Sequence, residues 1–339
     1  MITRRNWITM MAATAGAMGI RLQGLEWLSD TLGASPARAA RPTGVLIESH
    51  IHMFSDDLTR FPINKLSYKP NPAPVEAYVK FALEAQIDHT VMVQPEPYQD
   101  DHSYLEYCFT KEPSKGFFKA TCLFDPIDPA TPKRLKDLIQ RNPGRIVGMR
   151  IHELHPAGTP STTAGAIRDR DLRDPQMEVT WRAAHDLGIG ILLQLIPHYA
   201  SQVGELAKKF PSMPVVLDHL ARPGQGTAEE YEEVLKLGSL PNVYMKFTTT
   251  GVQSAATPAA TPIAGRGPSE AYPFPSVKPL IKKVYSAYGP DKIIWGELGA
   301  NMPAFDKATN LFDVMFDFAP ENERKEIRGL TGQRLFAFS

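Results

Sequence analysis

The stretch Val45-Leu46-Ile47-Glu48-Ser49-His50-Ile51-His52 decides how this 339-residue chain reads. It opens as a short β-branched and apolar run, the composition of a buried strand. It ends in two histidines one residue apart. Residues two apart in a strand share a face, so His50 and His52 point the same way at the strand's C-terminal end. Two imidazoles on one face can grip a divalent metal or hold a substrate carbonyl. An isolated His-x-His also arises from plain packing, with one ring in a core and the other at a turn. The rest of the chain has to decide between these readings.

Working outward, strand-like runs recur near 45–51, 89–94, 117–124, 146–151, 189–196, 214–218, 242–248 and 292–296. Amphipathic segments lie between most of them. Val75, Tyr78, Val79, Ala82 and Leu83 fall at helical spacing, as do Leu135, Leu138 and Ile139. Trp181, Ala184 and Leu187 follow Asp174-Pro175, a helix-start signal. Val203, Leu206, Ala207 and Phe210 form a further stripe, Tyr231, Val234 and Leu235 another, and 277–288 the last. Eight strands alternating with helices predict a single (β/α)8 TIM barrel over 44–339. An open doubly wound sheet is the alternative, but the chain carries no Gly-x-Gly-x-x-Gly and no phosphate loop to support it. Residues 251–275, rich in Ala, Thr, Pro and Gly, break the rhythm after strand seven. In a barrel they belong to the catalytic face, as a lid or binding loop or as an insertion without a role.

Composition narrows the function classes. The chain has no net formal charge, which argues against a nucleic-acid partner, since such a partner calls for a basic face. Its 43% hydrophobic content suits a globular core. The two cysteines, Cys108 and Cys122, make no disulfide framework, although one bridge between them is open. Residues 1–39 read as an export signal. Arg4-Arg5 precedes a mildly apolar run, and Ala37-Arg38-Ala39 offers a cleavage site. The pattern is of the twin-arginine type, which predicts a periplasmic protein. The apolar run is too short and Gly-rich to span a bilayer, so no membrane insertion is expected after processing. A homo-oligomer is compatible with everything in the sequence.

In a barrel the C-terminal ends of the strands build the site. Polar groups fall at all eight: His50 and His52, Gln94 with Glu96, Asp125, Arg150 with His152, Gln194 with His198, Asp218-His219 with Arg222, Lys246, and Glu297. Any one of them has an ordinary structural explanation. Asp125 before Pro126 reads as a turn cap, and His185 as a surface or packing residue on a helix. Their convergence is what points to a site.

These residues also carry a family resemblance. The run from Glu48 to Phe54 resembles the Asp-x-His-x-His strand of the amidohydrolase superfamily. Pro211 to Pro223, PSMPVVLDHLARP, resembles the strand-six signature of its amidohydrolase-related subgroup. Val93-Gln94-Pro95, Val147-Gly148-Met149-Arg150 and Asn242-Val243-Tyr244-Met245-Lys246 match in place and order, so the likeness covers about 44–338. The subgroup includes pyrone-dicarboxylate and sugar-acid lactonases and some decarboxylases. The resemblance implies hydrolysis of a lactone of an organic or sugar acid, with His50 and His52 polarising the carbonyl or holding one divalent ion, zinc or manganese. Some lactonases of the subgroup work without a metal. Strand eight departs from the pattern. The subgroup ends it in Gly-Ser-Asp or Gly-Thr-Asp, whereas here it reads Trp295-Gly296-Glu297, leaving Glu297 as the nearest carboxylate. Position 48 holds Glu in place of Asp, and Gln194 stands where a strand-five His is usual. The reading therefore gives Glu297 the base role, His219 a proton-shuttling or orienting role, and substrate contacts to Arg150, Arg222, Gln94, Lys246 and His198. The substrate is expected to be a small carboxylate or lactone. A metal-dependent decarboxylase and an inactive periplasmic binding protein are the alternatives.

Overall fold

The computed structural model describes residues 42–154, 171–257 and 268–339. The proposed signal at 1–39 lies outside them. Among the described residues no helix is long and apolar enough to cross a membrane.

Eight parallel strands pair in chain order, β1 to β8: Ile47–Ile51, His89–Val93, Phe118–Leu123, Ile146–Glu153, Gly190–Leu195, Val215–Leu217, Val243–Phe247 and Ile293–Trp295. Each coincides with an apolar run expected from the sequence. The (β/α)8 expectation holds, and the open sheet is excluded. The helices α1 Val75–Glu84, α2 Ser103–Phe109, α3 Thr131–Arg141, α4 Pro175–Asp186, α5 Ala200–Lys209 and α6 Ala228–Lys236 fill the connections up to β7. Beyond β7 come α7 Thr249–Ala255 and α8 Lys278–Tyr288, and after β8 comes α9 Met302–Met315. The starts follow local chemistry. The Asp174 carboxylate accepts from Gln176 N–H at 2.8 Å, with Pro175 in the first turn. Thr227 and Glu230 form a reciprocal capping box on α6. The sequence reading missed α2, whose seven residues are too few to show a stripe, and α9. It also took 251–275 as loop throughout. Residues 251–255 instead complete α7, and 258–267 lie outside the described residues. Both cysteines are free and buried, so the open disulfide is not formed.

The larger core lies between strands and helices. A second cluster of Ile47, Val91, Leu192, Val216 and Ile294, with Phe336 and Phe338, forms a separate core layer. Two residues further along, the same strand faces turn polar: Leu192 gives way to Gln194, Val216 to Asp218 and Tyr244 to Lys246. The barrel thus stacks an apolar layer under a polar one.

The seam between β1 and β8 is bridged by side chains. Ser49 Oγ donates to Trp295 O at 2.5 Å. The fully buried Glu48 carboxyl accepts from Glu297 N–H at 2.9 Å, Leu298 N–H at 2.6 Å and His50 N–H at 2.7 Å. A Cβ on Gly296 would lie 2.8 Å from Ser49 Oγ and 2.9 Å from the His50 side chain, so only glycine lets the two strands approach here. Glu48, the departure from the family's aspartate, is what ties the two ends of the barrel together.

Candidate active site

A cavity of about 250 Å³ opens at the C-terminal ends of the strands. Arg150, His152 and Leu154 line it from β4 and just beyond, Gln194 from β5, and His52 from the end of β1. His219 and Arg222 come from beyond β6, Glu297 from beyond β8, Thr250 from α7, and Tyr68 and Glu96 from the loops after β1 and β2.

The segment after β6 holds an unusual backbone. His219, Leu220, Ala221 and Arg222 all have positive φ, 55°, 56°, 54° and 49°. Left-handed conformation costs a non-glycine residue about 1–2 kcal/mol, and such strain persists only where surroundings over-determine it. Here Arg222 N–H donates to His219 O at 2.9 Å, and Tyr231 Oη donates to Leu220 O at 2.9 Å. Gly251 on α7 packs so close that a Cβ there would sit 2.7 Å from the His219 carbonyl carbon. The turn delivers His219 at its start and Arg222 at its end to one cavity. Glu297 is also left-handed, φ 59°. Positive φ thus falls both on the strand-six segment that matches the family signature and on Glu297, where strand eight departs from it.

Below the cavity the charges interlock. Lys246 Nζ lies 2.8 Å from Asp218 Oδ1 and 3.3 Å from His50 Nδ1. Arg150 Nε donates to Asp218 Oδ2 at 3.3 Å. His219 Nδ1 meets Thr248 Oγ1 at 3.0 Å and Glu297 Oε1 at 3.4 Å, and Thr250 N–H donates to Glu297 Oε2 at 2.8 Å. His52 Nδ1 pairs with Val93 O at 2.8 Å, so that nitrogen carries the proton and Nε2 is an acceptor. Burial lowers the pKa of His50, His152 and His219 well below the imidazole range and that of His52 to about 4. All four are neutral rings at pH 7. Burial raises the Glu297 carboxyl, which makes it a stronger base, and lowers Arg222 to about 10, with Arg150 adding repulsion.

Of the sequence-predicted residues, the cavity gathers Glu297, His219, His52, Arg150 and Arg222. His50 lies between them, its ring centroid 5.0 Å from that of His52 and 4.5 Å from that of His219. Three expected substrate contacts are not brought there. Gln94 is buried and donates to the carbonyls of Gln99 and Asp101 at 3.1 and 2.7 Å. Lys246 is fully buried under Asp218. His198, 41% exposed, pairs with Glu230 at 3.1 Å outside the cavity. Six lining residues went unassigned: His152, Glu96 and Gln194, seen at strand ends, and Tyr68, Leu154 and Thr250. Two-residue alternation from Arg150 could have added His152, but no local pattern marks a loop tyrosine.

The family model for amidohydrolases matches residues 47–338. The chain belongs to the amidohydrolase family. Among solved structures with this fold is a probable 2-pyrone-4,6-dicarboxylic acid hydrolase from Acinetobacter baumannii with citric acid bound. It is 20% identical, with 87% of this chain and 100% of that one covered and a TM-score of 0.63. A Burkholderia multivorans amidohydrolase with bound zinc is 14% identical over 87% and 100% of the chains, TM-score 0.60. 2,6-Dihydroxybenzoate decarboxylase from Rhizobium is 12% identical over 86% and 98%, TM-score 0.52. No curated protein matches the chain.

The family's metal chemistry can be tested on the side chains. His50, Asp218 and His219 each place one ligand atom within 4.8 Å of the others, a donor set and spacing that suit zinc. His52, expected as a ligand beside His50, is not in that cluster, although the bond from its Nδ1–H to Val93 O leaves Nε2 bare. The field is wrong for an ion, however. Lys246 already sits against two of the three ligands, and Arg150 holds the other Asp218 oxygen. Like charges about 4 Å apart repel by roughly 4 kcal/mol at an effective dielectric of about 20. The donors fit a divalent ion, but the cation's place beside Asp218 is taken by an ammonium.

Glu48 gives the site a pH signature. Burial pushes its pKa up to about 8 despite three N–H donors. A raised carboxyl stabilises the fold fully below its unfolded value and loses that contribution as pH climbs through the folded one. The four site histidines stay neutral in the fold above about pH 6.5, where the unfolded chain's imidazoles are also largely deprotonated. Between about pH 6.5 and 8, unfolding free energy is expected to fall by up to about 1.4 kcal/mol per pH unit through Glu48. Urea melts across that range should show the fall, and Glu48→Gln should flatten it.

Proposed function

We propose that this amidohydrolase-family chain opens a small cyclic ester that bears a carboxylate. The observation that supports it best is the placing of Glu297. Its carboxylate is fixed by Thr250 N–H, lies beside His219 and shares one cavity with Arg150 and Arg222. In this reading Glu297 takes a proton from water as the water oxygen attacks the ester carbonyl carbon. A neutral imidazole N–H, at the unpartnered Nε2 of His50, donates to the oxygen that gains charge. Collapse breaks the ring C–O bond, and the proton on Glu297 passes to the departing alkoxide. One water is consumed, and a hydroxy acid leaves.

Arg222 serves the substrate's carboxylate. Its Nε is buried without a hydrogen-bond partner, and a second guanidinium lies near enough to disfavour its charge. An anion relieves both costs. Arg222→Met is expected to raise KM roughly ten- to a hundredfold with little change in kcat, since a charge-assisted bond contributes about 1.5–3 kcal/mol. Initial rates on a panel of carboxylated lactones test the function itself, and a protein that binds members of the panel without turnover is the binding protein instead. Decarboxylation on this scaffold calls for a firmly held divalent metal, and Lys246 disfavours it. The citric acid held by the Acinetobacter protein supports a polycarboxylate-sized anion.

We also propose twin-arginine export to the periplasm. Replacing Arg4 and Arg5 by Lys is expected to leave the full-length precursor in the cytoplasm on cell fractionation. Unchanged periplasmic yield removes that reading.

A further inference from the structure

We infer that Lys246 is a positioning residue that fixes the tautomer of His50, so that the ring offers an Nε2–H donor to the cavity floor in place of a metal ion. The inference rests on the proposed hydrolysis for its purpose but on the polar layer of the barrel for its evidence.

An ammonium has three donors and no acceptor. Lys246 Nζ, 3.3 Å from His50 Nδ1, can only donate to it. The competing arrangement has His50 Nδ1–H donating to Asp218. That separation is 3.6 Å, beyond hydrogen-bond length. Asp218 is already engaged by Lys246 at 2.8 Å and by Arg150 at 3.3 Å, and its carboxylate favours the ammonium form against the burial that lowers the lysine's pKa. With Nδ1 accepting, the neutral ring carries its proton on Nε2. That atom is buried and has no partner in the protein. An unpaired buried N–H costs about 1–3 kcal/mol, which a substrate carbonyl oxygen would offset on arrival. The neighbouring ring is set the opposite way, because His52 gives its Nδ1 proton to Val93 O and keeps a bare Nε2. The two histidines of the opening motif are thereby made unlike, one a donor and one an acceptor, by the groups behind them.

The same geometry governs metals. A divalent ion could take His50 only by displacing the Nε2 proton, or at Nδ1 by expelling the ammonium. Lys246→Met keeps the volume and removes both the donor and the charge. His50 can then turn its Nδ1–H to Asp218 and offer a bare nitrogen.

The test uses the mature protein with 15N-labelled histidine. Two-bond 1H–15N correlation spectra report which ring nitrogen is protonated, with His50 assigned by the signals lost in His50→Gln. The expected result is an Nε2–H ring in the wild type and an Nδ1–H ring in Lys246→Met. Zinc affinity, read by competition with a chromophoric chelator, is expected to be at least tenfold tighter in Lys246→Met. An Nδ1–H ring in the wild type overturns the inference, as does wild-type zinc binding as tight as the variant's. If Lys246→Met fails to fold, the wild-type spectrum alone decides. None of these readouts needs turnover, so an Nε2–H ring in a protein inactive on every lactone would sink the proposed reaction and leave the role of Lys246 standing.

Discussion

Glu297→Gln is expected to lower kcat on a carboxylated lactone by roughly two to four orders of magnitude, the usual contribution of a positioned general base. The substitution keeps the length of the side chain, so an amide oxygen can still accept from Thr250 N–H. What it removes is the lone pair that takes the proton from water. Burial raises the Glu297 carboxyl, so its conjugate base is stronger than a solvated carboxylate at the same place. KM should change little, because the carboxylate of the substrate is assigned to the arginines. Melting should stay close to wild type. Steady-state rates alongside a thermal melt check this. A variant that melts normally and keeps its kcat places the base elsewhere, and His219, 3.4 Å from Glu297 Oε1, is then the next group to remove.

Asp218→Ala is expected to carry the largest stability effect, about 3–5 kcal/mol, the cost of breaking a buried ion pair from one side. Asp218 is fully buried, and its carboxylate faces Lys246, Arg150 and the His50 ring together. The nearby cations hold its pKa well below the carboxylate range against the opposing effect of burial. Without it two cations remain close together with no counter-charge. Pairing Asp218→Leu with Lys246→Met should recover part of the loss, since apolar groups replace the Asp218–Lys246 pair at little cost while Arg150 is left without its counter-charge. The urea midpoints of the single and double variants measure the coupling directly. A loss under about 1 kcal/mol in Asp218→Ala would mean that water reaches Lys246.

The sequence by itself determined the barrel. Eight apolar runs and most of the helical stripes between them were legible because strand and helix periods are local properties of the chain. The polar residues at the strand ends were legible for the same reason, since a (β/α)8 fold sends each of those ends to one rim. So the cavity's His52, Arg150, His219, Arg222 and Glu297 could be named in advance. What depth each side chain reaches is set by its neighbours across the sheet, and only the tertiary structure decided that. Lys246 looked like a substrate contact at the end of β7, but Asp218 on the adjoining strand draws its ammonium beneath the cavity. Gln94 is drawn off by two loop carbonyls and His198 by Glu230 on α6. Glu48 read as a lesser version of an aspartate, yet it binds the backbone of residues 297 and 298, some 250 positions away. The left-handed turn from His219 to Arg222 has no glycine to announce it, because Tyr231 and the close approach of Gly251 impose it from outside the segment. His50 and His52 are the same residue type on one strand. Their opposite proton placement comes from a lysine on β7 and a carbonyl on β2, partners that the chain brings beside them only when the barrel closes.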